Sequence, residues 1–223
     1  MAPGTESVGT CSLCGASFSK RQMTRHLSQC AYPETKSVAA VVQIRVDVPG
    51  SPFWLDLDVK TNATMRQLDE FLREIWLECC SHLSAFTVGQ TRYVVAFSDG
   101  FFGPEPDERS MNARMSAALP SAGSTFAYEY DYGSTTHLRL KVVAQHYAPS
   151  RRNVVRLLAR NDAPVWKCTE CDEIATSLCA YCADEGDAFF CETHVSDHDC
   201  GEEAMLPVVN SPRMGVCGYT GGD

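Results

Sequence analysis

A chain of 223 residues, 44% of them hydrophobic, has the material for one large domain or for one medium domain with small attachments. Its net charge of −9 argues against a protein wrapped generally in nucleic acid, and no apolar run approaches the ~18–20 residues that cross a bilayer. The N-terminus is polar and lacks a secretory signal, so the twelve cysteines are expected in the cytoplasm, bound to metal rather than paired in disulfides.

The first element is a candidate zinc finger, residues 1–32. Cys11 and Cys14 stand as a C-x-x-C pair, and His26 and Cys30 follow at i and i+4, on one helical face. Phe18 takes the place of the hairpin aromatic and Met23 that of the helix apolar residue, together a miniature core. So small a motif buries too little to fold alone, and metal would supply much of its folding free energy. Lys20, Arg21 and Arg25 make the helix locally basic. Residues 31–37, with Pro33, read as a linker.

Residues 38–148 read as the main domain, α+β in class: a β-hairpin, a helix, then an antiparallel sheet. Val38–Val48 is rich in β-branched residues, Pro49–Pro52 is a turn, and Phe53, Leu55, Leu57 and Val59 alternate with Trp54, Asp56, Asp58 and Lys60. A helix starts at Thr61–Thr64. Its stripe of Met65, Leu68, Phe71, Leu72, Ile75 and Trp76 runs through about Cys79. Strands are expected near Ala85–Val88 and Tyr93–Phe97, a loop at 99–107, and a short helix over Met111–Ala118. Thr125–Tyr130 and His137–Ala144 form a closing hairpin. Arg151, Arg152, Arg156 and Arg160 form a second basic cluster. Val154–Leu158 reads as a strand tying the main domain to the cysteine-rich segment.

Residues 149–223 hold the densest signature. Between Cys168 and Cys200 six cysteines and two histidines fall in four pairs: Cys168/Cys171, Cys179/Cys182, Cys191/His194 and His198/Cys200. A tight turn within C-x-x-C points both thiolates at one ion, and eight such ligands suffice for two tetrahedral zinc ions. The ligands could be shared sequentially or in an interleaved fashion. Only seven residues separate the first two pairs, short of the ~15–20 of a zinc ribbon, which favours interleaving. Cys168, Cys171, Cys191 and His194 would then hold one ion, and Cys179, Cys182, His198 and Cys200 the other. Order and spacing resemble the cross-braced B-box module, apart from the final His-x-Cys. With the finger, three zinc ions per chain are expected. The tail, rich in glycine and proline, should be irregular yet pack back through Met205, Leu206, Val208 and Val209.

Five stretches carry a wider resemblance: PFWLDLDV, SHLSAFTVG, LPSAGSTFAYEYDYGSTTHLRLKV, the cysteine block, and LPVVNSPRMGVCGYTG. Over roughly residues 38–220 the chain resembles the plasmid pRiA4b Orf-three-like family, some members of which are labelled passenger proteins of an insertion element (TnpR-type). The resemblance implies an α+β domain whose biochemical role is not established. The family continues YEYD with Phe-Gly-Asp and a tryptophan, where this chain has Tyr132, Gly133, Ser134, Thr135 and Thr136.

Outside the zinc ligands, His82, Asp131 and His137 could bind a catalytic metal or do acid–base work if they converged. Each also has a structural explanation as a helix-end, turn or strand residue. Cys79, Cys80 and Cys217 fall outside the ligand sets and are expected to be buried as small apolar groups. No phosphate loop, nucleotide fingerprint or hydrolase signature occurs. The preferred reading is therefore a non-enzymatic binding or adaptor protein with three structural zincs, most simply a partner of another protein. The alternatives are a nucleic-acid-binding accessory protein of mobile elements, acting through the basic clusters, and a metal-dependent enzyme using His82, Asp131 and His137. No membrane association is expected.

Overall fold

The computed structural model describes residues 7–95, 107–183, 186 and 188–222. The chain divides into two units. The larger comprises Glu6–Arg73 and His82–Asp162, and the smaller gathers Glu74–Ser81 and Ala163–Asp223. No described helix is long and apolar enough to cross a membrane.

The larger unit is built on one sheet. Its strands are β1 (Val8–Cys11), β2 (Ser17–Ser19), β3 (Val38–Asp47), β4 (Trp54–Lys60), β5 (Ser84–Val88), β6 (Thr91–Val94), β7 (Glu108–Ser110), β8 (Thr125–Tyr130), β9 (Thr136–Pro149) and β10 (Val155–Asn161). Among the described residues the order is β2-β1-β10-β4-β3-β9-β8-β5-β6-β7, with antiparallel pairing throughout except β6 with β7. The β3–β4 hairpin is the one the alternating valines and leucines imply. Its turn closes where Val48 N–H donates to Phe53 O at 3.2 Å, and Gly50, at φ 74°, supplies the left-handed residue.

Helix α1 (Lys20–Leu27) and helix α2 (Met65–Leu72) both start on a capping box, Ser19 with Gln22 and Thr64 with Gln67. Helix α2 buries Met65, Leu68 and Leu72, and also Asp69. That carboxylate accepts from Ser84 Oγ at 2.6 Å and Tyr128 Oη at 2.7 Å, tying the helix to β5 and β8. At Arg73–Leu77 the helix passes into a π turn, which a single apolar stripe does not foretell; the wider turn buries Trp76 and Leu77 and leaves Phe71 and Ile75 half-buried. A short helix, α3 (Met115–Ala118), lies within the segment expected to be helical. Strand β7 has no counterpart among the expected elements, and β9 runs five residues past Ala144. The expected strand end at Phe97 and most of the 99–107 loop lie outside the described residues.

The finger segment is part of this sheet. Strand β1 pairs with β10, and Met23 and Leu27 pack with Cys11, Trp54, Leu158 and Ala159 in one buried cluster. Tyr32, in the segment read as a linker, also packs there and donates to Asp58 Oδ2 at 2.7 Å. The polar positions of β4 are consequently covered: Trp54 and Asp56 are fully buried. Helix α1 sits over this face, with Arg45 donating to Lys20 O and Thr24 Oγ1. The close approach of β1 requires Gly9, because a Cβ there would meet Arg160 O at 2.2 Å and the Trp54 ring at 2.6 Å. Gly9→Ala should destabilise the larger unit by about 1–3 kcal/mol in chemical denaturation, since backbone rather than a flexible side chain must give way.

The smaller unit contains a three-stranded sheet of β11 (Ser177–Cys179), β12 (Phe189–Phe190) and β13 (Met205–Pro207), ordered β12-β11-β13, and a one-turn helix α4 (Glu192–Val195). The tail does pack back. Ser211, Arg213 and Tyr219 are buried, and Ser211 Oγ donates to Trp76 O at 2.6 Å.

Candidate metal centres

In the finger segment, Cys11 and Cys14 lie on a tight knuckle in which Gly15 N–H donates to Cys11 O and Cys11 N–H to Ala16 O. The capped helix α1 presents His26, and Cys30 N–H donating to His26 O continues its last turn, bringing the second pair round. Phe18 stacks on the His26 ring at 4.1 Å. The ligand atoms of Cys11, Cys14, His26 and Cys30 all lie within 4.8 Å of one another.

The cysteine block builds two such groups, and the partition is the interleaved one: Cys168, Cys171, Cys191 and His194 in one, Cys179, Cys182, His198 and Cys200 in the other. A bridge between Lys167 and Ile174 closes the turn that carries Cys168 and Cys171. Cys191 sits at the N-cap of α4, so that His194, one turn on, shares its direction. Cys179 ends β11, and Cys182, Val195 and Cys200 pack around Cys179, Phe190 and Ala204. Phe190 lies against the His198 ring at 4.4 Å, and Trp166 stacks on Phe189 at 4.5 Å.

Geometry tests whether these groups fit zinc. Zn–S bonds of about 2.3 Å and Zn–N bonds of about 2.0–2.1 Å make a tetrahedron with S···S edges of about 3.8 Å and S···N edges of about 3.5 Å. Cys171–Cys191 and Cys182–Cys200 are both 3.8 Å. Cys168, Cys171 and Cys191 stand 3.5, 3.5 and 3.2 Å from His194 Nδ1. Cys182 is 3.5 Å from His198 Nε2, and Cys14 is 3.3 Å from His26 Nε2. Disulfide sulfurs would lie about 2.05 Å apart, and none of the twelve cysteines is so bonded. The groups can hold metal, with ligands compatible with zinc.

Their electrostatics point the same way. Burial acts to raise the Cys168 thiol, yet amides of Cys191, Glu170 and Cys171 directed at its sulfur bring it down to about 6. Cys179, likewise buried, is brought to about 7 by the amides of Cys182 and Tyr181 and by His198. Other sulfurs move the opposite way: Cys182 is pushed up to about 12, first by Cys179, and in the N-terminal group Cys30 is pushed up to about 12, first by burial and then by Cys14. Sulfurs crowded in this manner share protons until a cation neutralises them.

The remaining candidates are arranged differently. His82 Nδ1 lies 3.6 Å from Asp131 Oδ1 and its ring meets Tyr130 edge-on, while His137, opposite Glu129 in the β8–β9 register, is 3.6 Å from that carboxylate. Among the described residues no metal-ligand group joins all three. The expectation for the other cysteines is corrected: Cys80 and Cys217 are exposed and Cys79 is half-buried. Within the smaller unit their sulfurs form a further cluster, all within 4.8 Å of one another. Burial and the neighbouring thiols push Cys80 up to about 11, Cys217 foremost. Spacing rules cannot find a cluster whose members lie 137 residues apart; the adjacent cysteines and a glycine-rich CGYTG tail are the only local signal.

A family model described as plasmid pRiA4b ORF-3-like protein matches residues 39–188. The chain belongs to that family. The pRiA4b ORF-3-like stretch spans β3 to the edge of β12 and includes Cys168, Cys171, Cys179 and Cys182. No curated protein matches the chain. Among solved structures, a protein of unknown function, MM3350 from Methanosarcina mazei Go1, is 18% identical, with 56% of this chain and 70% of that chain covered, at a TM-score of 0.44.

Proposed function

We propose that this pRiA4b ORF-3-like protein is a zinc-stabilised binding protein, an adaptor for a protein partner, in which three zinc ions are structural. The observation carrying this reading is the agreement of the sulfur–sulfur and sulfur–nitrogen separations with tetrahedral zinc edges in groups that each offer four ligand atoms. Four protein ligands leave no position for water or substrate, which separates such sites from catalytic ones. The donor sets hold no carboxylate, and thiolates with imidazole select zinc over magnesium, calcium or manganese.

Elemental analysis of protein purified without chelator should give three zinc ions per chain that survive mild chelation. Fewer than three would overturn the ligand assignment. Nucleic-acid binding is the second reading, favoured by the exposed Arg21 and Arg25 on α1 and opposed by the net charge of −9. Binding that falls steeply between low and moderate salt would replace the protein-partner reading, whereas no binding even at low salt leaves it standing.

A further inference from the structure

The thiol cluster of the smaller unit is built more deliberately than chance contact requires. Cys80 and Cys217 sulfurs are 3.8 Å apart, the same edge as in the two four-ligand groups of the cysteine block. Cys217 occupies its place at φ 54°, in the left-handed region that favours glycine, with Gly218 beside it. A cysteine kept at such a backbone position is strained for the sake of its side chain. The adjoining turn is also left-handed, at Ser81 with φ 58°, where the amide donates to Glu78 Oε1 at 2.6 Å. On the inner side, the guanidinium of fully buried Arg213 approaches Cys79 Sγ at 3.7 Å. A buried guanidinium thus fixes the position of one of the three sulfurs.

We propose that Cys79, Cys80 and Cys217 supply three thiolates to a fourth metal site, for zinc. It differs in exposure from the three structural centres. Its sulfurs come from one turn and from the tail, and two of the three cysteines, Cys80 and Cys217, are exposed. Binding releases the thiol protons to solvent, with no redox step. The exposure of Cys80 and Cys217 makes this ion the first to leave.

The test is metal stoichiometry on the full chain, purified under reducing conditions and then titrated with zinc. Wild type should hold one ion more than either Cys80→Ser or Cys217→Gly, and mild chelation should remove that ion alone. Cys217→Gly suits the purpose because glycine relieves the left-handed backbone, so the variant should fold as well as wild type while losing the site. Cobalt(II) added to mildly chelated wild type should restore a thiolate-to-metal absorption that neither variant shows. Equal metal content in wild type and both variants would overturn the proposal, as would recovery of Cys80 and Cys217 as a disulfide. Because the readout is a difference of one ion between proteins, it stands apart from the count of three on which the proposed function depends.

Discussion

Cys171→Ser and Cys182→Ser should each release one tightly held ion and unfold the region around β11, β12 and β13. The effect is large because little else holds that region. Its sheet has three strands of two or three residues each, and its buried cluster of Cys179, Phe190 and Ala204 is edged by the ligands themselves. Apparent binding free energies for structural zinc in small modules are about 10–16 kcal/mol near neutral pH, more than so small a core can replace. Interleaving sharpens the expectation. Cys171 shares its group with Cys191 and His194, and Cys182 with His198 and Cys200, so either loss frees chain on both sides of β12. Limited proteolysis should then cut within residues 166–207 while the larger unit stays protected. Metal content and melting unchanged in both variants would refute the assignment.

The sequence made the Cys/His groups legible because the pairs that build them are local. Two thiolates three residues apart, or a histidine and cysteine one helical turn apart, announce themselves without any knowledge of the fold. The interleaved partition could also be reached, since a seven-residue gap between C-x-x-C pairs disfavours sequential sharing. Strands β3, β4, β5, β8 and the start of α2 were legible for the same reason: alternation and a capping residue are short-range signals. What sequence could not carry was anything set by distant neighbours. The π turn at Arg73–Leu77 reflects which residues are buried, and that only the finished packing decides. The meeting of Cys79 and Cys80 with Cys217 joins the two ends of a unit assembled from separate segments. No pattern in β4 reports that α1, more than 25 residues earlier, lies over Trp54 and Asp56.

That hidden face leads to the second large effect. Arg45 donates from Nε to Asp56 Oδ1 at 2.9 Å and from Nη2 to Asp56 Oδ2 at 2.5 Å, and both residues are buried, Asp56 fully. Arg45 also lies over the Trp54 ring at 4.8 Å and bonds α1. The pair therefore joins β3, β4 and helix α1 in one polar contact. Arg45→Met should cost about 3–5 kcal/mol, because a carboxylate is left buried without its cation. Replacing both partners, Arg45→Met with Asp56→Leu, should recover much of that loss, since the desolvation of two charges is then avoided. Burial already pushes the Asp56 carboxyl up despite the opposing pull of Arg45. Without Arg45 the folded state would hold that proton still more tightly than the unfolded chain does. A raised folded pKa favours the folded state at low pH and loses that benefit as pH rises through it, so the deficit of Arg45→Met relative to wild type should shrink as pH falls from 7 toward about 4. A deficit that stays constant over that range would mean that Arg45 acts through its contacts with Trp54, Lys20 and Thr24 rather than through the charge of Asp56.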